Sequence, residues 1–170
     1  MLQLIACRAA EFDGVYDRMV ESFPLDERRD REDARALLAD PRYRLCHIEE
    51  GGRRVGFVAF FLLCGVTFVE HLSIDKSCRG KGLGTRVLSL LAEKGNLVLE
   101  VELPLTEEAK RRIAFYERAG FFQNEYPYAQ PAYRATGCPV PMILMSYPGP
   151  LESPPETAAL LYREIYGASL

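Results

Sequence analysis

No stretch of this sequence concentrates positive charge, and none stays apolar for long. The formal net charge is -3, and the densest basic segment, Arg28-Arg29-Asp30-Arg31, is broken by an acid and reads as a solvated helix face. Broad electrostatic attraction to nucleic acid or to an anionic membrane is therefore not expected. The most apolar stretch, Val55 to Gly65, is too short to span a bilayer and reads as a buried strand. The N-terminus alternates like a strand and has no basic region followed by a long apolar run, so no signal peptide is expected. Cys7, Cys46, Cys64, Cys78 and Cys138 are odd in number and lack metal-ligand spacing. Mostly in apolar surroundings, they suit reduced thiols in a cytoplasmic protein, with no metal site. Internal repeats and low-complexity segments are missing as well.

What is present is enough apolar material for one folded domain. The chain has 170 residues, 48% of them hydrophobic, and is expected to form a single domain over 1–170, with 151–170 as a C-terminal helix. Met1 to Cys7 reads as a strand, followed by a helix on Phe12, Tyr16, Met19 and Phe23 that Pro24 ends. A second, charged helix is expected over Asp26 to Asp40. Tyr43 to Glu49 and Arg54 to Leu63 form a hairpin about Gly51-Gly52, and Val66 to Ile74 is a third strand in this part. Downstream come a helix over Thr85 to Leu91, a strand over Leu97 to Leu103 and a helix capped by Thr106 that ends at Gly120. Phe121 to Tyr133 carries two prolines and reads as an interrupted element, and Pro141 to Tyr147 as a strand. Ser153-Pro154-Pro155-Glu156 resembles a capping box opening the last helix. The expected fold class is α/β.

The chain is organised around Arg79-Gly80-Lys81-Gly82-Leu83-Gly84, a glycine-rich turn between a strand and a helix. Glycines in alternation let the backbone approach a ligand with no Cβ in the way. The N–H groups of the turn and of the first helical turn point outward and carry partial positive charge, which suits a pyrophosphate. Two common phosphate motifs fail on spacing. A dinucleotide fingerprint would need glycine at Thr85 or Val87, and a Walker A loop would need glycine at Asp75 and a hydroxyl residue at Gly82.

Arg79-x-x-Gly82-x-Gly84 matches the R/Q-x-x-G-x-G/A signature of the GNAT N-acetyltransferase superfamily, and Phe115-Tyr116-Glu117-Arg118-Ala119-Gly120-Phe121 looks like that family's F-Y-E-x-x-G-F segment. The resemblance is close over Val55 to Phe122. It departs at Ala109, where many relatives carry an asparagine that helps hold the pantetheine arm. The fold it implies is a mixed, largely antiparallel central sheet with helices on both faces, splayed where acetyl-CoA binds. The implied cofactor is acetyl-CoA as co-substrate. Arg79, Gly80, Lys81, Gly82, Leu83, Gly84 and Thr85 would hold its pyrophosphate, and Leu72, Ser73 and Ile74 its pantetheine arm.

The implied reaction is direct attack of a primary amine, on a small molecule or a peptide, upon the thioester in a ternary complex. Tyr116 aligns with the family's acid beside the sulfur; a core tyrosine is the other reading. Glu70 shares a strand face with Phe68, Leu72 and Ile74, so desolvation is expected to raise its pKa and make it the base. A salt-bridged strand-end acid is the alternative. His71 faces the other way and, unless a bulge intervenes, does not share a site with Glu70. Glu100 and Glu102 lie on one strand face and could extend an acidic mouth for a cationic amine, with Tyr128 as a further substrate contact. The alternative is a non-catalytic acyl-CoA-binding or regulatory module that keeps the cradle and lacks turnover. Neither a nucleic acid nor a membrane is expected as partner, and the protein is expected to be a monomer or a homodimer.

Overall fold

The strand that leads into the glycine turn is the last of four antiparallel strands contributed by the first half of the chain. The computed structural model describes residues 1–169, which form two compact units, Met1–Gly95 and Asn96 onward.

The first unit holds strands β1 (Leu2–Ala6), β2 (Tyr43–Glu50), β3 (Arg53–Leu63) and β4 (Val66–Ile74), paired in that order and all antiparallel. Val55 through Phe61 of β3 are buried without interruption, because this strand has sheet neighbours on both edges and side chains packed on both faces. The turn between β2 and β3 uses Gly51 and Gly52 at positive φ, 58° and 78°, as their pairing suggests. Helix α1 (Phe12–Ser22) buries Phe12, Val15, Tyr16 and Met19, a stripe at helical spacing, and α3 (Leu83–Ala92) buries Leu83, Val87, Leu88 and Leu91. Between β1 and β2 the expected long second helix is broken. A short turn, Leu25–Glu27, precedes α2 (Arg31–Ala36), and a further turn follows over Leu37–Ala39. The break comes where Glu27 and Arg29 bend inward to partners on β4, described below.

The second unit holds β5 (Leu97–Glu102), β6 (Phe122–Gln123), β7 (Tyr128–Gln130) and β8 (Val140–Tyr147). β8 pairs antiparallel with β5 from Tyr147 opposite Leu97 to Met142 opposite Glu102, and with the short β6 and β7 as well. Helix α4 (Glu107–Arg118) starts at Thr106, whose hydroxyl accepts the Ala109 N–H at 3.0 Å, and it ends before Gly120 at φ 91°. Asn124 ties the irregular segment down: its amide donates to the Leu144 carbonyl and Ser146 Oγ, each at 3.0 Å, and accepts from Leu151 N at 2.8 Å. The last helix is α5 (Pro154–Leu161), continued by one wider turn over Tyr162–Tyr166. Its capping box does not form, for Ser153 makes no side-chain cap bond. Pro155 at the second helical position has no N–H, which removes one of the two donors that the Ser153 hydroxyl could satisfy.

All five cysteines are free thiols. Cys46 and Cys78 are buried and Cys7 half-buried, whereas Cys64 and Cys138 are exposed.

Candidate active site

β4 leaves the sheet at Ile74, and the chain crosses a short turn, Lys76–Cys78, whose Cys78 is buried, before reaching the glycines. Gly80 and Gly82 sit at φ 77° and 71°, the left-handed region that a Cβ disfavours. Gly82 is the residue on which α3 opens, and no side chain caps that helix. The first-turn N–H groups of α3 thus have no intrahelical acceptor and present partial positive charge beside the turn. A Cβ built on Gly80 or Gly82 would meet nothing within 4 Å, so these glycines serve the backbone conformation and leave open space in front of it. Arg79 folds back, its Nε donating to the Ile74 carbonyl at 3.0 Å, and so braces the turn. Lys81 and Thr85 are exposed.

Leu72, Ser73 and Ile74 are half-buried at the end of β4, and three residues that the sequence reading passed over hold them there. Gly56 lies opposite Ile74, and a Cβ on it would come within 2.3 Å of the Ser73 carbonyl oxygen. Ser22 of α1 shares a hydrogen bond with Ser73, Oγ to Oγ at 2.9 Å, and Arg18 of α1 pairs with Asp75. A glycine inside an otherwise apolar strand run was the one sequence signal of this close approach.

Glu70 is not where strand alternation would put it. Ala59 pairs with His71 and Phe60 with Val69, so Glu70 is the extra residue of a β-bulge. A bulge breaks the alternation of faces, and it brings His71 Nδ1 to 3.5 Å from Glu70 Oε2. Both side chains are buried, 3% exposed. Arg29, from the segment between α1 and α2, forms an ion pair with Glu70, and its guanidinium lies over the Phe61 ring. His71 Nε2 donates to the Glu27 carbonyl at 3.0 Å, and the Tyr16 hydroxyl donates to the Arg29 carbonyl at 2.8 Å. The expected upward shift of Glu70 is overturned. Burial does push its pKa up, but the Arg29 charge and His71 outweigh it and bring the carboxyl down to about 2.

In the second unit, Tyr116 is buried in an aromatic group with Phe115 and Phe121, ring centroids 5.0 and 5.6 Å away. Burial is the main influence on its phenol and pushes it up to about 12; Arg112 opposes the shift and Glu102 adds to it. The phenol therefore keeps its proton at neutral pH. Ala109, at the asparagine position of many relatives, is fully buried.

The expected acidic mouth is changed in character. Glu100 accepts hydrogen bonds from the Tyr128 hydroxyl and, at 2.7 Å, from the Tyr166 hydroxyl. Glu102 pairs with Arg112 at 2.5 Å. Both carboxylates are engaged with internal partners, and burial, followed by the Glu100 charge, holds the Tyr128 phenol far above its usual range. Tyr128 instead fronts a cavity of about 660 Å³ together with Tyr126 and Tyr162.

With this geometry in view, the comparisons with known proteins are consistent. The model of the acetyltransferase (GNAT) family matches residues 12–121. The chain belongs to the GNAT acetyltransferase family. YjbC of Bacillus subtilis (strain 168), assigned as an acetyltransferase, is 33% identical over 110 residues, 62% of this chain and 55% of its own length, so the chain spans about half of that relative. A structure assigned to the GNAT family as an acetyltransferase, from Bacteroides thetaiotaomicron, is 31% identical and covers 99% of both chains with a TM-score of 0.89. The ribosomal-protein-S18-alanine N-acetyltransferase of Escherichia coli shares the fold at a TM-score of 0.60 and 19% identity, over 91% of this chain and 97% of its own.

For a GNAT protein the mixed α/β fold with antiparallel strand pairing is the expected one. The turn also passes a test of fit to coenzyme A: an uncapped helix start, two left-handed glycines and open space before them suit a pyrophosphate on main-chain N–H groups. Glu70, Leu72 to Ile74 and the turn Arg79 to Thr85 lie in the first unit, while Tyr116, Glu100, Glu102 and Tyr128 belong to the second.

Proposed function

We propose that this GNAT protein is an N-acetyltransferase that moves an acetyl group from acetyl-CoA to a primary amine, of a small molecule or a peptide, by direct attack within a ternary complex. The uncapped start of α3 behind two left-handed glycines carries the reading, because it suits an anionic phosphate group on main-chain N–H groups. The main-chain N–H groups between Arg79 and Thr85 take the pyrophosphate, with Lys81 adding charge at the rim. Leu72, Ser73 and Ile74, clamped by Gly56, Ser22 and Arg18, receive the pantetheine arm, and a backbone N–H of this segment holds the oxyanion. Tyr116 donates a hydrogen bond and then the proton to the departing thiolate; burial keeps the phenol protonated and at the same time weakens it as an acid.

Glu70 serves the amine, and Arg29 sets how. The Arg29 charge and His71 hold the Glu70 carboxyl below the ordinary carboxylate range, so it is a poor proton acceptor for an alkylammonium while Arg29 stays paired. Glu70 therefore acts as a fixed anion, and the proton leaves by a water relay.

The tight Arg29–Glu70 pair also favours a second reading, a non-catalytic acyl-CoA-binding module. One experiment decides between them: titrate acetyl-CoA by calorimetry, then assay free thiol release with a broad panel of primary amines. Amine-dependent release of coenzyme A supports the transferase. Tight binding with no release from any amine supports the module, and no binding at all overturns both.

A further inference from the structure

The chain has two histidines, and both are buried, 3% exposed, beside a carboxylate. Their surroundings ask for different numbers of protons. His47 Nε2 is 3.8 Å from Glu11 Oε2, and neither of its ring nitrogens has a hydrogen-bond partner. A neutral ring suits that site, and burial, followed by the Arg54 charge, holds the His47 pKa below its ordinary value. His71 faces an oxygen at each nitrogen: Nε2 is 3.0 Å from the Glu27 carbonyl, and Nδ1 is 3.5 Å from Glu70 Oε2. A carbonyl and an ionised carboxylate only accept. A neutral imidazole has one N–H to give. With the proton on Nε2, a lone pair on Nδ1 faces the carboxylate; with it on Nδ1, a lone pair faces the carbonyl. The ring that suits both neighbours carries two protons.

These contacts belong to a series. Asp75 pairs with Arg18, Ser73 with Ser22, His71 with the Glu27 carbonyl and Glu70 with Arg29, so residues 18–29 run along the end of β4 in the opposite direction. The turn Leu25–Glu27 buries no residue, so polar contacts rather than an apolar core place it. Around His71 the charged and titratable groups are Glu70 on its own strand, Arg28 and Arg29 after α1, Tyr16 on α1 and Tyr43 on β2, with the Phe23 ring edge-on at 4.4 Å. Burial, followed by the Glu70 charge, keeps the Tyr43 phenol far above its usual range, so Glu70 is the anion of this group. Arg29 takes its Oε1 and His71 faces its Oε2, so one carboxylate serves two cations through different oxygens.

We propose that His71 is a positioning residue that carries both ring protons and, by bridging the Glu27 carbonyl and the Glu70 carboxylate, holds the segment after α1 on the β4 bulge and Glu70 in place as an anion. Nitrogen-15 NMR of the full chain with labelled histidine shows two protonated ring nitrogens on His71 at pH 7 and one on His47; His71→Gln, neutral at every pH, assigns the signals. Trypsin cleavage after Arg28 or Arg29, read by mass spectrometry against cleavage after the exposed Lys94, is at least about tenfold faster in His71→Gln, the factor given by about 1.4 kcal/mol. In the native protein this ratio rises with pH as His71 loses its second proton, because a contact that needs the charged ring is present at lower pH and lost on deprotonation; in the variant the ratio stays level. With a primary amine, kcat of His71→Gln falls about tenfold or more at unchanged KM for acetyl-CoA, a consequence that rests on the acetyl-transfer reading. A single proton on His71 at pH 7, or cleavage as slow in the variant as in the native protein, overturns the proposal, and an unchanged kcat overturns its bearing on Glu70. Absence of transfer to any amine fails the acetyl-transfer reading instead, and the spectra and cleavage rates still decide the role of His71.

Discussion

Replacing Arg29 by methionine tests whether the ion pair with Glu70 governs the first unit as its geometry implies. Both side chains are buried, 10% and 3% exposed, so solvent screens their interaction little. Removing one partner of such a pair leaves the other charge in a poor environment and costs about 3–5 kcal/mol. The pH dependence gives an independent measure. In the native protein the Glu70 carboxyl stands at about 2, below its unfolded value of about 4.3, a difference equivalent to about 3 kcal/mol. Because the folded pKa is depressed, that stability is fully present above about pH 4.3 and is lost as pH falls toward about 2. In Arg29→Met, burial dominates and raises the Glu70 pKa, so the sign reverses: the variant loses stability as pH rises through and above about 4.3. Urea unfolding of native protein, Arg29→Met, Glu70→Gln and the double variant, at several pH values from 3 to 8, follows both effects. The double variant is expected to recover most of the loss, since a neutral buried pair lacks the unsatisfied charge. If Arg29→Met costs less than about 1 kcal/mol, or keeps the native direction of pH dependence, the pair does not hold Glu70 as described.

Gly82→Ala places a Cβ at φ 71° in open space, so its cost is conformational, about 1–2 kcal/mol by thermal or urea unfolding, and calorimetry shows at least about tenfold weaker acetyl-CoA binding. Gly56→Ala forces a Cβ to within 2.3 Å of the Ser73 carbonyl and must shift the end of β4; about 1–3 kcal/mol of stability is lost, and acetyl-CoA affinity falls although no cofactor contact was removed. Tyr116→Phe lowers kcat by about 10²–10⁴-fold with acetyl-CoA affinity unchanged. With this phenol at about 12, the native pH–rate profile has no falling limb at the ordinary tyrosine value of about 10; such a limb, lost in Tyr116→Phe, would contradict the burial described here.

Most of the turn's geometry was legible before folding. Gly80, Gly82 and Gly84 announced a glycine turn between strand and helix, Thr106 announced the start of α4, and Gly120 its end, because each of these acts within a few residues of its own position. The strand assignments followed from alternation for the same reason. Alternation failed at Glu70, where one inserted residue turned the pattern and brought His71 beside it. It also gave no sign of Gly56 meeting the Ser73 carbonyl, a contact between strands rather than along one.

The sequence by itself determined the backbone of the turn, the helices that flank it and the family to which the chain belongs, all of them consequences of local conformational preference and residue order. The tertiary structure decided the electrostatic state of the acids. Glu70 draws its counter-ion from 41 residues upstream, and Glu100 its two hydroxyl donors from 28 and 66 residues downstream. A pattern of apolar neighbours forecasts the desolvation of a carboxylate but not the charge that folding brings against it. At Glu70 that second contribution is the larger, and the carboxyl expected to be a raised base is a held anion.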